Sequence, residues 1–178
     1  MEKISPEELL AQYARGQRNF EKVDLTQADL FEANLSEVNL KNSKLVQVYL
    51  AYSDLSQSNL EAVQLQESQL SNAQLYHVNL CQAELQKANL SRTNLRYANL
   101  TQANLSRANL HGADLAYADL TGADLSYTDL SNANLKQANL TGANLSYTNL
   151  FRAQNVNIVN AEFDATTIWP DGHRQSPT

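Results

Sequence analysis

TGADLSYTDLSNANLKQANLTGANLSYTNL, residues 121–150, contains two nested periods. TGADLSYTDL at 121–130 returns as TGANLSYTNL at 141–150, changed only by Asp124 becoming Asn144 and Asp129 becoming Asn149. Inside it a leucine closes every group of five. The leucine register runs outward without a miss from Leu25 to Leu150, and Phe20 extends it one step back. Five steps rotate about 140° around an α-helix and half a turn about a strand, so no single face of either collects the leucines. The backbone must therefore turn once per repeat. The longer return, 20 residues from Thr121 to Thr141, makes four such turns a coil. Four repeats per coil predict a square solenoid whose facets stack at the strand spacing of about 4.8 Å, a rod of roughly seven coils and about 32–35 Å.

Two residues before each leucine stands a small or β-branched residue: Val23, Ala28, Ala33, Val38, Ser43 and Val48, and onward to Ala138, Ala143 and Thr148. Residues two apart in an extended segment point the same way, so each repeat offers one large and one small side chain to a common interior. The other three positions are mostly polar and face water. One coil alone buries nothing, and stability comes from stacking.

Runs such as Ala113-Asp114-Leu115, Ala118-Asp119-Leu120 and Ala143-Asn144-Leu145 resemble the A(D/N)LXX motif of the pentapeptide-repeat family. The resemblance covers about 20–163. It implies an all-β fold, a right-handed quadrilateral β-helix, to which the residues before the repeats add a short N-terminal capping α-helix. The motif is specific for fold and says little about function. Members that protect DNA gyrase from quinolones carry projecting loops, or pair C-terminal ends into an acidic rod resembling duplex DNA. No insertion interrupts Phe20 to Leu150, so the first device is missing here.

The 178 residues are expected to form one domain in three parts: a capping helix over 1–19, the repeats over 20–164 and a C-terminal cap over 165–178. Ser5-Pro6-Glu7-Glu8 reads as an N-cap, a proline at the first helical position and a capping-box glutamate. Leu9, Leu10, Tyr13 and Ala14 supply an apolar face, Gly16 a stop, and the helix a cover for the first coil. Phase fails after Leu150, where Asn155 and Asn160 take expected leucine positions. Three inserted residues would restore it, with Ile158 and Phe163 inward and Val156 and Ala161 as their small partners. Phe163, Ile168 and Trp169 read as a lid ending in the turn Pro170-Asp171-Gly172. A contact between two chains through the same end is the alternative. Between about 40 and 85 the motif weakens: Ser43, Ser53, Ser58 and Ser68 replace alanine, and Lys44, Tyr49 and Gln64 replace Asp or Asn. A less regular coil is expected there.

Composition bounds the function. Apolar residues are 43% of the chain, concentrated in Leu and Ala, yet no run is long enough to cross a membrane. The start MEKISPEELL is too acidic and too weakly apolar for a secretory signal, so a cytoplasmic location is expected. The single Cys81 reads as a tolerated outward residue. His77, His111 and His173 are scattered, with no helical pair and no cysteine nearby, so no metal is expected. No serine is attended by a histidine and a carboxylate, and Gly112, Gly122 and Gly142 are isolated rather than a phosphate loop. The chain reads as a non-enzyme without cofactor.

Charge lies in bands along the axis. Glu21, Asp24, Asp29, Glu32 and Glu37 make the first coil acidic. Lys87, Arg92, Arg96 and Arg107 follow as a basic band, and Asp114, Asp119, Asp124 and Asp129 as a second acidic one. At one per facet those aspartates surround the rod, in the motif's ordinary Asp/Asn position, where a short side chain bonds its own corner. The net charge of −6 opposes long-range attraction to phosphate, so direct nucleic-acid binding is not expected. Stacking explains the cations more simply, with Glu67, Lys87 and Arg107 in one column and Tyr76 one coil before Arg96. The best interaction candidates are Tyr97 and Tyr117 in one column and Tyr127 and Tyr147 in another, all two residues after a leucine. The expected function is a non-catalytic rod that presents a rigid surface to an unidentified protein partner, as a monomer. The alternative from the resemblance is a DNA mimic acting on gyrase, a type II topoisomerase.

Overall fold

The computed structural model describes residues 1–174, so the last residues of the cap read over 165–178 lie outside the described residues. Three elements open the chain: β1 (Glu2–Lys3), α1 (Pro6–Ala14) and β2 (Val23–Asp24). Beyond them every repeat contributes one short extended segment and one turn. Each segment pairs in parallel with the segment 20 residues on, as in Asn19 with Asn39, Asp24 with Lys44 and Asp29 with Tyr49, unbroken to Asn134 with Gln154. Four repeats per coil is thus the register of the fold, a quadrilateral β-helix.

The backbone alternates its bonds along each facet. The leucine N–H donates to the following coil, Leu100 to the Asp119 carbonyl at 2.7 Å, and the residue before it donates to the preceding coil, Asn99 to the Val78 carbonyl at 2.9 Å. The corner is closed by the N–H of the small residue returning to the preceding leucine, Ala103 to Leu100 at 3.1 Å. All the repeat leucines are buried, as are their small partners. The core is a column of leucine layers.

The turn forces the second residue after each leucine into the left-handed region. Lys22, Gln27, Glu32 and Glu37 begin a series continuing to Tyr147 and Arg152, all with φ between 52° and 63°. That region crowds Cβ against the backbone and excludes β-branched side chains most strongly. Gly112, Gly122 and Gly142 occupy the same position, at φ near +65°. They meet a backbone demand of the corner.

The stretch from 40 to 85 is as regular as the rest, against the expectation from its motif. Its pairing keeps the same register throughout. Val48, Val63 and Val78 are fully buried, and each buried serine hydroxyl finds a backbone carbonyl: Ser43 donates to Phe20 at 3.1 Å, Ser53 to Leu50 at 2.7 Å, Ser58 to Leu35 at 3.1 Å. A serine whose hydroxyl is satisfied costs the interior little.

At the N-terminal end the Ser5 hydroxyl accepts the Glu8 N–H at 3.2 Å, and Pro6 opens α1. Glu8 does not complete the reciprocal box; its carboxylate accepts from Gln12 at 3.2 Å instead. The helix ends in a Schellman motif, with Gly16 at φ +93° donating to Tyr13 at 2.9 Å and Gln17 to Gln12 at 3.1 Å. Its covering face is narrower than expected. Leu9 is fully buried and Tyr13 packs on the core, its hydroxyl donating to the Ser36 carbonyl at 2.9 Å, whereas Leu10 and Ala14 face solvent. The parallel pair of β1 with β2 had no sequence signal.

At the other end the phase slip is a deletion of two residues, not an insertion of three. Asn134 pairs with Gln154, 20 on, but Asn144 pairs with Glu162. Asn155, at φ 58°, turns outward and donates to the Asn134 side chain at 3.1 Å, so the coil is shortened at that facet. Ile158 and Phe163 do take leucine positions, and Val156 and Ala161 pack on the core as read. The ladder then runs on past residue 164: Ile168 pairs with Asn149, and the Thr167 hydroxyl donates to Leu145 at 2.8 Å just as Thr148 does to Leu125 at 2.7 Å. This puts Trp169 in a leucine position and Ile168 in the outward one, a correction to reading both as lid. Phe163 and Trp169 meet edge to face at 5.1 Å, and the chain turns back through Gly172 so that Trp169 bonds His173 at 2.8 Å.

Candidate functional site

Half a coil is ten residues, so the two tyrosine columns stand on opposite sides of the rod. On one side Tyr127 and Tyr147 stack at 4.3 Å with ring planes 5° apart. Both are exposed. Their column continues along the surface toward the N-terminal end in complementary contacts. The Arg107 guanidinium lies 5.0 Å from the Tyr127 ring, Lys87 Nζ reaches Glu67 at 3.3 Å, and Gln47 donates to Glu67 at 2.9 Å. The hydrogen bonds from Gln47 and then Lys87 hold the Glu67 carboxyl below its ordinary range.

On the other side Tyr97 and Tyr117 stack at 4.8 Å and 6°. His77 extends that stack at 4.8 Å and 7°. Its place in the column was legible, 20 residues before Tyr97, yet the expected site omitted it. Tyr76 stands edge-on to Tyr97 at 5.7 Å. Arg96 lies 5.9 Å from the Tyr97 ring, which replaces the expected contact with Tyr76, and Lys136 lies 6.0 Å from Tyr117. A parallel stack spends the ring faces on one another. What it offers a partner is a row of ring edges and hydroxyls flanked by cations.

Asp114, Asp119, Asp124 and Asp129 stand one per facet, as read. Each carboxylate accepts the N–H two residues on: Ala116 at 3.1 Å, Thr121 at 3.0 Å, Ser126 at 2.9 Å, Ser131 at 2.9 Å. Each also accepts from the asparagine one coil later, as Asn134 donates to Asp114 at 2.9 Å and Asn149 to Asp129 at 3.0 Å. They serve as corner braces. Among the described residues no three His, Cys, Asp or Glu side chains gather as a metal site. Cys81 is half-buried at its corner rather than fully outward. No helix among the described residues is long and apolar enough to cross a membrane.

Two sequence-family models match this chain, one described as pentapeptide repeats, in 8 copies over 83–116 and 118–153, and one as a pentapeptide repeat region over 18–95. The chain belongs to the pentapeptide-repeat family. Its fold is the right-handed quadrilateral β-helix of that family. Among solved structures this pentapeptide-repeat protein is similar to HetL of the cyanobacterium Nostoc sp. strain PCC 7120, a protein involved in heterocyst differentiation regulation. The two are 28% identical with a TM-score of 0.51, over 97% of this chain and 100% of HetL. Rfr23 of the cyanobacterium Cyanothece 51142 is 32% identical with a TM-score of 0.29, over 61% of this chain and 65% of its own. Trypsin-treated QnrB1, a plasmid-mediated fluoroquinolone resistance protein, is 19% identical with a TM-score of 0.41, over 82% and 77%. No curated protein matches the chain.

Proposed function

We propose that the protein is a non-catalytic rod for protein–protein interaction, with Tyr97 and Tyr117 on one side and Tyr127 and Tyr147 on the other as its contact groups. The stacked ring pairs carry this reading, with Tyr97, Tyr127 and Tyr147 exposed and Tyr117 half-buried. Aromatic side chains held in one geometry before binding lose little entropy on contact, and tyrosine with arginine is the pairing enriched at protein interfaces. Arg96, Arg107 and Lys136 flank the rings and set a cationic tone within an acidic molecule. The partner in this reading is an unidentified protein, and the net charge of −6 weighs against nucleic acid. Capture from the native cell extract tests it: the Tyr127→Ser/Tyr147→Ser or Tyr97→Ser/Tyr117→Ser chain should lose a partner that the wild type holds. Equal capture after replacing all four rings overturns the reading.

The DNA-mimic alternative has less support. A mimic needs continuous negative charge along one face, whereas Asp114 and Asp119 are preceded one coil earlier by Asn94 and Asn99 and followed by Asn134 and Asn139. Their carboxylates are also engaged at their own corners. A gyrase supercoiling assay separates the two readings, and inhibition at micromolar protein would favour the mimic.

A further inference from the structure

The first coil has no coil beneath it, and its backbone is covered unevenly. On one facet the N-terminal strand supplies a partner: Lys3 pairs with Asp24, and the Ile4 N–H donates to the Asp24 carbonyl at 3.3 Å. On the next facet Ala28 accepts from Tyr49 at 2.9 Å and Leu30 donates to Tyr49 at 2.8 Å, both toward the second coil. The N–H and carbonyl of Asp29 between them point the other way, as those of Asp24 do. No group among the described residues bonds them. Asp29 is exposed, so this is an open strand edge.

A groove of about 530 Å³ runs beside it, walled by Lys3, Ile4 and Glu8 on the arm and by Asp24, Ala28 and Asp29 on the coil. Past Leu30 the corner carries an aromatic group: Phe31 stacks on Tyr49 at 5.6 Å and meets Tyr52 edge-on at 5.9 Å. All three rings are exposed. Unpaired N–H and carbonyl groups in extended register call for another extended backbone. The three carboxylates of the groove outnumber its one lysine and call for a basic segment. Phe31, the one of these rings carried by the first coil, calls for a large apolar side chain at that segment's downstream end.

We propose that the Ala28–Leu30 edge binds an extended, basic segment of a partner protein as an added parallel strand, with an apolar residue of that segment seated against Phe31, which Tyr49 and Tyr52 back from the second coil. The edge lies apart from the tyrosine columns, and the inference shares with the reading above only that the ligand is a protein. The N-terminal strand, which occupies the neighbouring facet in the same way, is its precedent within the molecule.

Fluorescence anisotropy on the full chain tests it, with a short labelled peptide of alternating lysine and valine ending in tryptophan. Saturable binding is expected, and a peptide with glutamate for lysine should not bind. Asp29→Pro removes an N–H that nothing in the rod uses together with the carboxylate that accepts the Phe31 N–H at 3.1 Å, so it should melt like Asp29→Ala, which loses only the carboxylate, and bind about ten-fold or more weaker than Asp29→Ala. Phe31→Ser should also weaken binding, and it decides the matter if Asp29→Pro melts early. No saturable binding, equal binding of both peptides, or undiminished binding by Asp29→Pro or Phe31→Ser would overturn the proposal. Tyr127→Ser/Tyr147→Ser should bind the peptide as the wild type does, so this edge and the tyrosine columns stand or fall separately.

Discussion

Each leucine of the repeat has one environment, and the free energy of the rod is a sum of such sites. Burying a leucine contributes about 1.5–3 kcal/mol. Leu100→Asp removes that contribution and leaves an unpaired carboxylate in the interior, a loss above ~4 kcal/mol that approaches the whole stability of a domain. The Leu100→Asp chain should be unfolded by circular dichroism at room temperature, while Gln137→Asp, at an exposed corner, should melt like the wild type. Thr101, the outward neighbour of Leu100, makes a poor control. It is half-buried and its hydroxyl donates to Asn99 at 2.7 Å. The same local bonding lowers the Asp24 carboxyl, which accepts from the Thr26 hydroxyl at 2.6 Å and the Thr26 N–H at 2.9 Å. A folded pKa below the unfolded one adds stability above the unfolded value and loses it as pH falls through the folded one. Thr26→Val should move the Asp24 titration, followed by carboxyl NMR, upward toward the ordinary aspartate range.

The five-residue element is defined by its corner as much as by its leucine. From Lys22 to Arg152 the second residue after the leucine is Lys, Gln, Glu, Asn, Tyr, Ala, His, Arg or Gly, and never Val, Ile or Thr, although Thr26, Thr101 and Thr121 stand one residue earlier. That exclusion was legible in the sequence and names the left-handed residue of the turn. Gln82, at φ 57° and exposed, offers a clean test. Gln82→Val should cost about 1–2 kcal/mol in chemical denaturation, and Gln82→Asn should cost nothing or gain slightly. Coil count, inward pairs and the Ser5 cap were equally legible, because each depends on residues close in sequence or locked to a period. The pairing of β1 with β2 and the open edge at Asp29 were not, since they depend on where an aperiodic arm lands. Nor was the sense of the slip after Leu150, because an insertion of three and a deletion of two leave the same phase.

At the scale of the whole molecule the ends decide association. The interior column is closed at one end by Leu9 and Tyr13, and at the other by Phe163 and Trp169, of which Phe163 remains exposed. If these rings suffice as a cover, the intact chain is a monomer in light scattering, and truncation after Ala161 yields dimers or aggregates. An intact dimer that truncation makes monomeric would assign the end to a chain-to-chain contact. In the function proposed above, the sides are the contact surfaces. Because the tyrosine columns lie half a coil apart, that proposal allows a partner on either side, and a reagent placed in each column reports which. The most direct test is photocrosslinking in native cells with benzoylphenylalanine at position 97 or 127, and at the exposed position 37 on the Tyr97 side, three coils from Tyr97 and two from His77 at the near end of its stack. The account predicts a covalent protein adduct from 97 or 127 and none from 37; adducts from 37 alone, or from none of the three, would contradict it.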